Sequence, residues 1–361
     1  MEPLSQALLG AATAEAVAGP KLRRRALFWG ALIGMSPDLD VLLGPLRDGY
    51  GEWLYHRGTT HSLWFGFAVG PLLGWALWRW RDHGRPGTLP GWIRLSIVAL
   101  LTHPLLDGFT PYGTQLFAPF WRERFAWNGI AIVDPFYTLL LASGVVCAAT
   151  LRFSPTTRRK GLLTGLALST LYLLAGLGVN RWVVDDLRSS LASEVVEIER
   201  VRAYPTIFQP WLRSFVVRTP SSVLVGLHSW QESGCPAWQV HPRGTKDPAV
   251  QIVRTSPEGA LLEWFADGDT ASFVHSEPGG TKRVRVEDIR YGWASAGGRG
   301  MWGLEARVDA EGKLVSPPRR IGRVAPNRRD FDRIGRLLSG RLPSQSDGWR
   351  RPPGCFGGPP E

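Results

Sequence analysis

Five apolar runs with few charges dominate the first half of the chain. They are Leu27 to Leu46, Leu63 to Trp80, Trp92 to Leu106, Ile130 to Leu151 and Gly161 to Val179. Four of them approach or exceed the roughly 20 residues that a membrane-spanning helix needs, and Trp92 to Leu106 is somewhat short. Leu4 to Gly19 is a weaker sixth run, interrupted by Gln6 and Glu15. It suits a short span, a re-entrant piece or an interfacial helix. After Asn180 the pattern changes. Asn180 to about Arg200 has helical composition. Short apolar or alternating runs follow at Phe215–Val217, Val223–Leu227, Val250–Val253, Leu261–Phe265, Val284–Val286 and Leu304–Val308, separated by Gly, Pro and Asp turns. That pattern predicts a small antiparallel β domain. Leu342 to Glu361 is rich in Pro, Gly and Ser and predicts a disordered end. The expected organisation is an all-α multi-span membrane domain of five or six helices over 1–180. A small, mainly β soluble domain follows over 181–340, and a disordered tail over 341–361.

Composition sharpens this picture in two places. A mean hydropathy of -0.07 over 361 residues averages two unlike halves and hides the apolar one. The net charge is +11, and its distribution matters more than its size. Lys21–Arg25, then Arg79, Arg81, Arg85 and Arg94, then Arg152, Arg158, Arg159 and Lys160 form basic connections. Placing these in the cytoplasm gives a consistent five-span path in an inner membrane, with the C-terminal domain outside the cytoplasm. Nucleic acid is then excluded as a partner, and membrane lipids are the expected neighbours. The basic cluster follows the first apolar run instead of preceding it, the wrong order for a cleaved signal peptide. The three cysteines form no CxxC pair, which argues against a Cys-based zinc site. Cys147 reads as a small core residue, and a Cys235–Cys355 disulfide is open if the tail is extracytoplasmic.

The candidate chemistry lies at one membrane face. Asp38 and Asp40 close the first run, in Ser36-Pro37-Asp38-Leu39-Asp40. Residues two apart do not share a helix face, so both reach one point only if the backbone turns there. A bound cation would offset their charge; two solvated aspartates is the plain alternative. His56 and His61 flank Arg57-Gly58-Thr59-Thr60, with Gly58 predicting a loop and Thr59 or Thr60 a helix cap. His103 and Asp107 stand at i and i+4, so one helix face presents both. They suit a shared ion, or Asp107 orients His103. Asp134 before Pro135 fits a helix cap as well as a site residue. Intramembrane ionisable groups are costly and suggest function. Mixed imidazole and carboxylate donors suit zinc, with manganese or iron as alternatives, and one or two ions. His228, His241 and His275 lack ligand spacing and read as packing or surface residues.

These motifs resemble, in residues and order, a bacterial and archaeal family of membrane-bound proteins assigned as metal-dependent hydrolases. Its founding member is under LexA control (YdjM-like). The resemblance rests on Pro37-Asp38-Leu39-Asp40, His56-Arg57-Gly58-Thr59-Thr60-His61-Ser62 and His103 to Gly113, of which the His56–Ser62 run is the most specific. The opening Met1 to Gly10 and Ile132-Val133-Asp134-Pro135 are similar too. The likeness covers residues 1–180; in the tail, Asp288-Ile289-Arg290-Tyr291-Gly292 is the most familiar piece. The family implies a multi-span membrane protein with metal-dependent hydrolytic activity. Many members carry His at the position of Gln6. Gln is a poor metal ligand, so here it is expected to hydrogen-bond a ligand or a water.

The leading expectation is therefore a hydrolase at the outer membrane face. Asp38, Asp40, His56, His61, His103 and Asp107 would supply the metal shell, and a metal-activated water the nucleophile. Asp134, or one of the Asp38 and Asp40 pair, would be general base. Arg57 would clamp a phosphate or carboxylate, or contact lipid headgroups. The substrate class is an amphiphile, a phosphoester first. Two alternatives stand beside it: a metal- or proton-coupled transporter, and a non-catalytic membrane protein in which metal only clamps the helices.

Overall fold

In the computed structural model, the structure describes residues 1–22, 24–46, 49–83, 85, 87–192, 197–229, 236–291, 300–321 and 349–350. The chain divides into two compact units, Met1–Val179 with Ile207–Gln209, and Asn180–Thr206 with Pro210–Glu361. Cys235, Cys355, Gly292 and nearly all of the 341–361 tail lie outside the described residues.

The first unit is helical. Its helices are α1 (Pro3–Leu22), α2 (Arg24–Met35), α3 (Gly51–Tyr55), α4 (Leu63–Arg81), α5 (Leu89–Gly108) and α6 (Pro135–Ala149), and α7 (Pro155–Leu191) begins in it. The first apolar run of the sequence is not one helix. α2 stops at Met35 and a 3-10 segment, Ser36–Leu46, takes over. Pro37 has no N–H for the ladder, and the Ser36 hydroxyl donates to the Ile33 carbonyl at 2.8 Å. This segment turns the backbone locally, but it does not bring both aspartates to one point: Asp38 joins the group of His61, His103 and Asp107, whereas Asp40 turns to His56 and the Nδ1 side of His61. α4 is capped by Ser62, which accepts from Phe65 N, so the cap sits beyond Thr59 and Thr60, which join His61 in a short 3-10 turn. α6 starts at Pro135 with Asp134 as its cap, five residues later than the apolar run.

Glycines seal three antiparallel helix pairs. A Cβ on Gly10 of α1 would lie 2.3 Å from the Gly30 carbonyl oxygen of α2. On α4, Gly66, Gly70 and Gly74 face Leu101, Ile97 and Ile93 of α5, and Gly144 of α6 faces Gly165 of α7. Small residues that let backbones approach drive helix association in lipid. Trp64, Phe67, Leu72 and Trp75 of α4 meanwhile stay exposed. By length and composition α5 and α7 could each cross a membrane, while α6 is apolar but has only 15 residues. Among the described residues two helices are thus long and apolar enough to cross, against the five spans expected.

The second unit holds two antiparallel four-stranded meanders. β1 (Arg200–Pro205), β2 (Leu212–Arg218), β3 (Ser222–Ser229) and β4 (Ala237–Pro242) form the first. β5 (Thr270–Ser276), β6 (Lys282–Asp288), β7 (Trp302–Val308) and β8 (Arg319–Arg320) form the second. Two runs expected to be strands are helices instead: α8 (Pro248–Thr255) and α9 (Pro257–Phe265). Asp247 and Ser256 cap them, each followed by a proline in the first turn, a start signal that outweighs the apolar runs inside. Buried Arg290 pairs with Asp288 at 2.7 Å and lies over the Phe265 ring, so the familiar tail motif builds the interior of this unit. His228 bonds Asp186 at 2.8 Å, His241 packs edge-on against Phe273, and His275 is exposed.

Candidate metal centre

Three elements meet at one end of the helical unit. The 3-10 segment after α2 brings Asp38, the turn before α4 brings His61, and the last turn of α5 brings His103 and Asp107. Among the described residues this is the group of His, Cys, Asp and Glu fit to hold a metal, its ligand atoms all within 4.8 Å of one another. His61 Nε2 lies 3.0 Å from His103 Nε2, 3.1 Å from Asp38 Oδ1 and 3.4 Å from Asp107 Oδ2. His103 Nε2 lies 3.5 Å from Asp38 Oδ1 and 3.6 Å from Asp107 Oδ2. A tetrahedral ion with bonds of about 2.0–2.2 Å sets its ligand atoms about 3.3–3.6 Å apart. The cluster has nearly that size.

Tautomers follow from the acceptors. His103 Nδ1 is 2.6 Å from the Gly34 carbonyl, one of the last carbonyls of α2 and so without a helical donor. A carbonyl only accepts, so Nδ1 carries the proton and Nε2 a lone pair. His61 Nδ1 lies 3.0 Å from Thr60 Oγ1 and 3.3 Å from Asp40 Oδ2. The Thr60 hydroxyl donates to Asp40 at 2.8 Å, which leaves its lone pair for the imidazole. Both Nε2 atoms and two carboxylate oxygens therefore face one point. Asp107 Oδ2 accepts no hydrogen bond from any described residue. Such an array can hold a cation. Burial alone would push the His61 imidazole down, yet Asp38 and Asp40 raise its affinity for a proton above the ordinary value.

The remaining candidates sort around this core. Asp40 and His56 are not among the four but support them. His56 Nδ1 is 2.8 Å from Asp40 Oδ1, and Asp40 reaches His61 Nδ1 through its other oxygen, an arrangement that orients a ligating imidazole. Gln6 donates to Asp107 Oδ1 at 3.0 Å, and the Met1 ammonium pairs with the same oxygen. Arg57 is buried, with Nε 3.1 Å from Asp107 Oδ2 and Nη1 donating to Thr110 at 2.8 Å. Its place is inside the site rather than among headgroups. Its backbone has a φ of 57°, a left-handed conformation that side chains rarely adopt and that clusters at functional sites. The Arg57 carbonyl accepts from Gln115 N at 3.0 Å, which ties this loop to the one after α5. Asp134 accepts from Tyr137 N and from the Tyr172 hydroxyl. It serves α6 and stands outside the four. Thr60, Thr110 and the Gly34 carbonyl were not foreseen. Thr60 is signalled only by adjacency to His61, and a backbone carbonyl has no residue signature.

Comparison with known proteins agrees with the helical unit. Residues 1–183 match the family described as YdjM inner membrane protein. The inner membrane protein YbcI of Escherichia coli (strain K12) is 42% identical over 103 residues, 28% of this chain and 57% of that protein. The chain thus spans little more than half the length of this curated relative. No solved structure matches.

Proposed function

The chain belongs to the YdjM inner membrane protein family, and from that premise we propose that it is a metal-dependent membrane hydrolase acting on an amphiphilic phosphoester. The observation that carries the metal is the His61–His103 contact, two imidazole Nε2 atoms 3.0 Å apart beside the carboxylates of Asp38 and Asp107. Zinc is the proposed ion, because two imidazoles and two carboxylates at tetrahedral spacing suit it. Bound there, it would supply Lewis acidity and bring the pKa of a coordinated water toward neutrality.

The side chains divide the remaining work. His61 and His103 are held in one tautomer each, by Thr60 and Asp40 and by the Gly34 carbonyl. Arg57 offsets the buried charge of Asp107. Asp38 is the accessible member, with its side chain 25% exposed while the other three are sealed. The substrate enters on that side, where Leu39, Val41 and Leu42 are also exposed. Apolar side chains beside an open ligand edge favour an amphiphile. His56 leans on Asp40 and is 18% exposed, and in this reading it takes the proton from the attacking water.

Elemental analysis of detergent-purified protein, beside the His61→Ala/His103→Ala double variant, tests the metal. About one zinc per chain, as one tetrahedral site holds, is expected in the wild type and none in the variant. No metal after reconstitution would remove the proposal. Hydrolysis is tested with p-nitrophenyl phosphate, bis-p-nitrophenyl phosphate and micellar phosphatidylglycerol. Metal without turnover on all three would leave a metal clamp, and metal-dependent flux in liposomes a transporter.

A further inference from the structure

Three stretches of positive charge that the metal centre does not use converge at the other end of α5. They are Lys21 at the end of α1 with Arg24 and Arg25 at the start of α2, Arg85 after α4, and Arg158 and Arg159 at the start of α7. These six basic side chains line one cavity of about 970 Å³, with Glu15 and Asp82 as its carboxylates. α5 has 20 residues, so the cavity lies about 30 Å along that helix from Asp107.

The charges inside it are unevenly matched. Asp82 is taken by Arg25 and by the Trp92 indole N–H at 2.9 Å. Arg24 donates to the Ala149 carbonyl at 2.6 Å. Lys21 and Arg85 form no ion pair with a described carboxylate, and Arg158 and Arg159 share one carboxylate, Glu15, through charge–charge interaction without a salt-bridge contact. The buried Nε of Arg158 has no hydrogen-bond partner among the described residues. Charge that serves only to orient a membrane protein needs no concave site. Here it surrounds one, and a phosphate group would answer it.

A second observation says what carries that phosphate. An apolar groove of about 370 Å³ adjoins the cavity and shares Arg24 and Leu27 with it; Ala7, Leu8, Ala11, Phe28 and Ala31 continue its wall. A free phosphate has no use for such a groove, whereas an acyl chain does. We propose that cavity and groove together bind one anionic phospholipid, its phosphate among Lys21, Arg85, Arg158 and Arg159 and a chain along Ala11, Leu27 and Ala31. Basic pockets between helices recognise lipid headgroups in this manner. The site is separate from the metal centre and does not depend on it.

Native mass spectrometry of the detergent-purified full chain, offered equal phosphatidylglycerol and phosphatidylcholine, tests the site. The wild type is expected to retain phosphatidylglycerol on the order of tenfold over phosphatidylcholine. Arg158→Gln/Arg159→Gln is expected to erase that preference. Ala31→Trp, which fills the groove, is expected to lower lipid retention with the metal content unchanged. Equal retention of both lipids by the wild type, or a preference that survives both variants, would overturn the proposal. Inorganic phosphate matching the lipid's thermal stabilisation, unaffected by Ala31→Trp, would overturn the lipid and leave an anion site. If the arginine variant fails to fold, the wild-type preference and Ala31→Trp still decide.

Discussion

Asp40 touches no ion in the proposed centre, yet it holds the His61 ring through Nδ1 and anchors His56 and Thr60. Asp40→Asn keeps the shape and loses the charge that supports the ligand. Metal affinity, measured by chelator competition, is expected to fall about 10–100-fold, as for other partners of ligating histidines, whereas His61→Ala abolishes it. At this scale much was legible. The i, i+4 spacing of His103 and Asp107 announces a shared face, and that face carries two of the four candidate ligands. The sequence could not separate inner from outer residues. Asp38 and Asp40 are alike in composition, and only the turn of the 3-10 segment sends one to the centre and the other to the back of His61. Likewise Arg57 looks from the sequence like a substrate clamp, because nothing local reveals that Asp107 will lie 3.1 Å away.

Among elements, the α4–α5 pair matters most, because His61 precedes one helix and His103 and Asp107 end the other. A side chain at Gly74 would meet the Ile93 Cα at 2.6 Å and the Trp92 carbonyl oxygen at 2.7 Å, backbone atoms that cannot step aside. Gly74→Leu is therefore expected to lower the melting temperature in detergent, by about 1–3 kcal/mol of stability, and to reduce metal content with it. Asp134→Ala separates a cap from a site. Loss of the α6 cap costs about 1 kcal/mol, read from thermal melts, and metal content should not change. The helices of the first unit were legible because apolar runs of that length have few other uses. α8 and α9 were misread as strands because a short buried run has no decisive period. Their capping residues, Asp247 and Ser256 before prolines, carried the information instead.

For the molecule as a whole, its two units should answer to pH and to topology separately. In the second unit His241 is buried, and that burial lowers its pKa below the ordinary value. As pH falls through about 6.5, the unfolded chain takes up a proton that the native imidazole refuses, so stability declines toward acid. Tryptophan fluorescence melts of this unit should shift down between pH 7.5 and 5.5, and less so in His241→Phe. Nearer pH 4, Asp267 acts in the same sense: burial would raise its pKa, but Arg202 and Arg200 hold it below the ordinary value. An alkaline phosphatase fusion after Ile321 should be active if the positive-inside assignment is right, and inactive if the second unit is cytoplasmic. The metal centre has a further consequence for how the chain is made. Every proposed ligand falls between positions 38 and 107, inside the first helical hairpins to leave the ribosome. The nascent chain holds a complete chelating set before α6 exists. An ion captured at that moment would act as a rivet, fastening the early hairpins while the later half of the protein is still being translated.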